Sequence, residues 1–87
     1  MQFEYQFQSP QSFNLMDIQE PIALGQRVEA FLVEGYAEGE WKLLGQGTTV
    51  GYKRILELPQ TTTDKVRVTI THSRLNPKIS KIGFYQR

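Results

Sequence analysis

The sequence predicts an all-β fold, an antiparallel β-sandwich or barrel, on three observations. Apolar and polar residues alternate with a period of two in Gln2 to Gln8 and again in Lys65 to Thr71, which puts one side of each strand against a core and the other in water. No stretch repeats apolar residues at helical spacing behind a Ser, Thr or Asp cap. Turn residues punctuate the chain every 8 to 12 residues or so, the rhythm of short strands.

Taken in order, Phe3, Tyr5 and Phe7 face inward from the first strand, and Phe13 to Gln19 forms the second. Val28 to Tyr36 is the third; Val28, Phe31 and Val33 share a face only if a bulge sits near Glu29 or Ala30. Glu38-Gly39-Glu40 is a tight turn leading into Trp41 to Leu44, and Lys53 to Leu58 follows. Pro59 to Asp64 reads as a loop, Lys65 to Thr71 turns Val66, Val68 and Ile70 inward, Asn76-Pro77 opens another loop, and Ile79 to Tyr85 closes the fold.

Length and composition set the limits. At 87 residues there is room for one domain, residues 1–87, and a large enzyme fold is excluded. The chain has no cysteine and one histidine, so thiol chemistry and multi-histidine metal sites are ruled out. With no long apolar run and no leader at the start, a soluble protein without its own signal peptide is expected. Net charge is only +1, but residues 1 to 40 carry seven acidic side chains and one basic, and residues 41 to 87 two acidic and nine basic. Interleaved strands would set these opposite charges facing each other.

If neighbouring strands run antiparallel, alternate connections meet at one end. Glu20 to Arg27, Gly45 to Tyr52 and His72 to Lys78 then share an end rich in side chains able to hold a ligand. Glu38 and Glu40 read as solvated turn charges, since glycoside hydrolysis needs two carboxylates about 5 to 10 Å apart in a cleft. The carboxylates lack the spacing of a calcium loop. Gly45-x-Gly47-x-x-x-Gly51 lacks the Lys-Ser/Thr of a phosphate loop and reads as a wide turn. Tyr52 beside Lys53 and Arg54 makes at most a fragment of a nucleic-acid surface, with rim charges the preferred reading. Trp41, directly after a tight turn, reads as a core anchor rather than a sugar platform.

Several segments together carry a family resemblance: Ile22-Ala23-Leu24-Gly25-Gln26-Arg27-Val28, Gly47-Thr48-Thr49-Val50-Gly51-Tyr52-Lys53-Arg54 and Ile70-Thr71-His72-Ser73-Arg74, with Trp41-Lys42, Pro77 and Tyr85. Over about residues 13 to 87 the chain resembles the C-terminal β-sandwich of bacterial glycoside hydrolase family 29 alpha-L-fucosidases, a discoidin-like, galactose-binding-like jelly roll. The resemblance implies an accessory domain beside a catalytic barrel in a periplasmic or secreted protein. That domain would have no catalysis of its own, weak binding of fucosylated or galactosylated carbohydrate, and no nucleic-acid or membrane partner. The alternative is a structural module that packs on the barrel or on a second copy of itself. The expected sugar contacts are Glu20, Gln26, Arg27, His72, Arg74 and Asn76, whose charged and amide groups suit hydroxyls. No cofactor is expected; the family's calcium loop has no counterpart here. His72 departs from the family, which usually carries aspartate in that run, and only Met1 to Ser12 stand where further strands are expected: either the chain is a truncated piece of the domain, or Phe3, Tyr5 and Phe7 cap an abbreviated sandwich, or another chain completes an exposed sheet edge.

Overall fold

The computed structural model describes residues 1–51 and 53–87, with the backbone alone described at Ile22. Tyr52, assigned above to the loop end, lies outside them. The fold is all-β and antiparallel: β1 (Gln2–Gln19), β2 (Val28–Ala37), β3 (Glu40–Gly47), β4 (Arg54–Ser73) and β5 (Lys81–Tyr85), with a 3-10 turn at Ile22–Leu24. The strands form one sheet in the order β3-β2-β4-β1-β5.

Seven strands were expected from the sequence; among the described residues five are present, because four of the expected ones merge into two. β1 runs from Gln2 to Gln19 and β4 from Arg54 to Ser73, so the segment Pro59 to Asp64, read as a loop, belongs to a strand. Both long strands serve two layers. The first part of β1 (Gln2 to Gln6) pairs with Lys65 to Thr69 of β4, whose other side pairs with β2; the later part of β1 pairs with Arg54 to Thr63 and with β5. The sheet thus folds over on itself and its two halves face each other. Phe84 of β5 packs against Tyr5 and Phe7 at ring-centroid distances of 5.9 and 6.2 Å, and a Cβ on Gly45 of β3 would lie 3.1 Å from Leu58 of β4.

The fold-over explains the prolines. Pro10 sits in the register shift between Gln6 and Gln11 of β1, and Pro59 lies in the part of β4 that pairs only with β1, so neither removes a needed ladder bond. Thr63 secures the bend from inside, its hydroxyl donating to the Tyr36 carbonyl at 2.6 Å.

Between the layers lies a core of Phe13, Met16, Ile18, Val28, Phe31, Val33, Val66 and Val68, all fully buried. Phe3, Tyr5 and Phe7 line it as the alternation predicted. β2 carries its bulge where expected, with register shifts on both sides of Ala30. The β2–β3 hairpin closes on Glu38 and Gly39, with φ of 56° and 81°, the left-handed pair that a two-residue turn requires. That turn pairs Tyr36 with Trp41, and this overturns the reading of Trp41 as a core anchor. Tyr36 lies three residues beyond inward-facing Val33, hence on the outer face, and Trp41 shares that face. Gly45 and Gly47 also differ from expectation. They lie within β3 rather than in a wide turn, and Gly47 leaves room for the Phe31 ring, which a Cβ there would meet at 2.7 Å.

The charge polarity resolves as cross-strand pairing. Arg67 of the basic half stands between Glu4 and Glu34 of the acidic half, and Lys81 lies 3.7 Å from Asp17.

Candidate functional site at the loop end

Three connections meet at one end of the sandwich, and a single carboxylate ties two of them. Glu20 follows β1 and is 3% exposed. Its Oε1 accepts from the backbone N–H of Arg27 at 2.7 Å and of Val28 at 3.0 Å, while Oε2 accepts from the N–H of Gly51 at 3.1 Å. Glu20 was expected to touch ligand. Instead it is enclosed and saturated by main-chain donors, and its role is to fix the loops.

The other expected residues continue the lacing. The Arg27 guanidinium donates to the Asn76 carbonyl at 3.0 Å, and Arg74 donates to the Gln26 carbonyl at 3.2 Å. The Arg74 amide bonds the Arg27 carbonyl at 2.7 Å, continuing the β2–β4 ladder into the loops. Arg54 reaches the Thr49 carbonyl at 2.9 Å, so this basic residue braces a loop rather than standing ready for phosphate. His72 departs from its expected place. It lies within β4 opposite Ala30, exposed, and is not among the residues that line the cleft at this end.

That cleft is an open depression of about 450 Å³ lined by Leu24, Gly25, Gln26, Arg27, Arg74 and Leu75. Three of the six residues named from sequence therefore converge on it: Gln26, Arg27 and Arg74. Asn76 reaches it only through its carbonyl bond to Arg27. The guanidiniums each keep N–H groups free of the bonds described, so the cleft offers donors to hydroxyl or carbonyl oxygens. Leu24 and Leu75, 44% and 78% exposed, were missed from sequence. Leu75 adopts φ of 57°, a left-handed conformation uncommon for a residue other than glycine. Among the described residues no three His, Asp or Glu side chains gather as a metal cage, and no helix is long and apolar enough to cross a membrane.

No protein-family model matches the chain. It is similar to alpha-L-fucosidase 1 of Arabidopsis thaliana, 36% identical over 83 residues that make up 92% of this chain and 16% of the plant protein. Among solved structures it is similar to SpGH29, with a TM-score of 0.95 at 40% identity over 98% of this chain and 19% of that one. It is also similar to the Ruminococcus gnavus GH29 fucosidase E1_10125 in complex with fucose, with a TM-score of 0.84 at 31% identity over 98% of this chain and 17% of that one. The chain thus spans less than a fifth of the length of each of these relatives. By sequence and by fold, this chain is a relative of the alpha-L-fucosidases of glycoside hydrolase family 29, matching one β-sandwich segment of them.

Proposed function

We propose that the chain is a non-catalytic accessory domain of an alpha-L-fucosidase-type glycoside hydrolase, in a periplasmic or secreted setting, with weak carbohydrate recognition at its loop end. The observation that carries this reading is the convergence of Gln26, Arg27 and Arg74 on one braced cleft. Loops already tied by Glu20 lose little freedom when a sugar arrives, and guanidinium and amide groups bond hydroxyl oxygens directionally. An accessory role is supported by the chain's small share of its relatives. It is also supported by the use of its two buried carboxylates: Glu20 is taken by backbone donors, and Asp17 accepts from the Gln19 amide at 3.2 Å beside Lys81. Neither is open to a glycosidic bond, and the nucleophile and acid/base pair would come from elsewhere in a full-length enzyme.

Titrating isotope-labelled protein with L-fucose and galactosides tests this by NMR. Movement of the Gln26, Arg27 and Arg74 amides is expected, and stationary signals at high millimolar sugar overturn it.

A second reading, packing on a catalytic domain or on another copy, is favoured by the exposed Leu24 and Leu75 at the cleft. An apolar groove of about 340 Å³ along Tyr5, Phe7, Phe13, Ile82 and Phe84 at the layer edges also favours it. It predicts dimers in sedimentation, or a higher Tm only when the remainder of the enzyme is present.

A further inference from the structure

The outer face of the β3-β2-β4-β1 layer carries a second constellation, away from the loop end. Trp41 and Tyr36, cross-strand partners beside the Glu38-Gly39 turn, meet edge to face at 5.2 Å and 72°. Arg67 lies 4.2 Å over the indole and is itself held by Glu34 at 2.9 Å, while the Lys65 ammonium lies 5.0 Å from the Tyr36 ring centroid. Both rings are thereby locked in orientation.

Beside them opens a cleft of about 400 Å³ lined by Glu4, Tyr5, Gln6, Tyr36, Trp41 and Lys65. Arg67 is not among the lining residues, so the indole borders this cleft on a side the guanidinium leaves open. One wall is aromatic. Across from it Glu4 offers a carboxylate acceptor, Lys65 an ammonium donor, and Gln6 an amide oxygen, its nitrogen being turned to the Phe7 and Asp64 carbonyls at 3.4 and 3.3 Å. Charges on this face cancel, with Glu4 and Glu34 against Lys65 and Arg67. A phosphate or other polyanion in the cleft would meet the Glu4 carboxylate, and a cation the Lys65 ammonium. A neutral ring with one C–H face and a rim of hydroxyls matches both walls, and the cleft is of a size to hold one.

We propose that this outer-face cleft is a binding site for a neutral pyranoside, the C–H face of the sugar lying on the Trp41 indole with the Tyr36 ring standing beside it, and its hydroxyls meeting Glu4, Gln6 and Lys65. The site is separate from the loop end and does not depend on it.

Trp41 is the one tryptophan of the chain, so its emission reports on this site alone. Titration of the whole 87-residue protein with methyl α-L-fucopyranoside and methyl β-D-galactopyranoside should shift that emission saturably with at least one of them. The Trp41 indole and Gln6 side-chain signals should move with it in the NMR spectrum. Trp41→Ala, followed through the Gln6 and Lys65 signals, should weaken binding by about tenfold or more. Gln6→Ala, at an exposed position that spares the fold, should weaken it by less. Glycerol, which has hydroxyls but no ring face, should move neither reporter. The proposal is overturned by unmoved Trp41 and Gln6 signals with both glycosides, or by an equal response to glycerol. Shifts confined to Gln26, Arg27 and Arg74 overturn it too, while leaving the loop-end reading in place.

Discussion

Glu20 and Gly51 bond each other twice, in opposite senses: the Glu20 amide donates to the Gly51 carbonyl at 3.3 Å, and the Gly51 amide donates to Glu20 Oε2 at 3.1 Å. With the same carboxylate also holding Arg27 and Val28, one side chain joins two of the three connections at the loop end.

Glu20→Ala should therefore cost more than an ordinary surface change. It would strand buried amide donors that now bond a charged acceptor, a loss of about 3 kcal/mol. Urea unfolding should show a lower midpoint at unchanged slope, and Glu20→Gln should recover part of the loss, since its amide keeps one oxygen acceptor.

Gly47→Ala should destabilise through the core. The new methyl would sit 2.7 Å from the Phe31 ring, which is fully buried and has nowhere to go, so about 1 to 3 kcal/mol of overpacking is expected. Gly39→Ala meets nothing within 4 Å and should cost about 1 kcal/mol, because φ there is 81°. If thermal melts rank the two in reverse, the packing of β3 over β2 is not as described.

Much of this arrangement was legible in the alternating residues. Phe3, Tyr5, Phe7, Val66, Val68 and Ile70 announce their faces because a strand's period of two is local and needs no partner. Continuity of β1 and β4 was not legible. Pro10 and the Pro59 to Asp64 run carry turn chemistry, and only the pairing pattern shows that they lie at a bulge and along an edge. The face of Trp41 was recoverable in principle. Counting outward from Val33 to Tyr36 and across a two-residue turn assigns it to the outside, but the count requires the exact length of the turn. At the loop end, strand parity identified which connections meet, yet side-chain types alone could not separate Glu20, enclosed by amides, from Arg74, which stands in the open.

Alkaline pH should weaken the fold through Tyr5. Burial raises its phenol above the ordinary 10.0, so the folded state favours the protonated form. That contribution is present in full below pH 10.0 and fades as pH rises through the folded value. Midpoints of urea unfolding measured across this range should fall in the native chain, and Tyr5→Phe should flatten that limb.

Glu34 and Arg67 should be coupled. Their side chains are about four-fifths enclosed, Nε and Nη2 of the arginine both approach Glu34 Oε1, and the indole of Trp41 covers the guanidinium. A double-mutant cycle with Glu34→Gln and Arg67→Met should return about 1 kcal/mol, reduced but not abolished by salt. A coupling near zero would mean that the pair is solvated.

Because β1 and β4 each pass through both layers, neither layer is an independently separable unit. Peeling one away means breaking the same two ladders that hold the other. Unfolding should be all-or-none, and the contacts that close the sandwich join residues more than 50 positions apart, as between Gln2 and Thr69 or Gln11 and Thr63, which makes folding slow for so small a chain. It also says where the chain tolerates a cut. New termini at the Glu38-Gly39 turn interrupt one hairpin at an edge, whereas a break near Pro10 or Pro59 severs the hinge on which the two halves of the sheet are folded together.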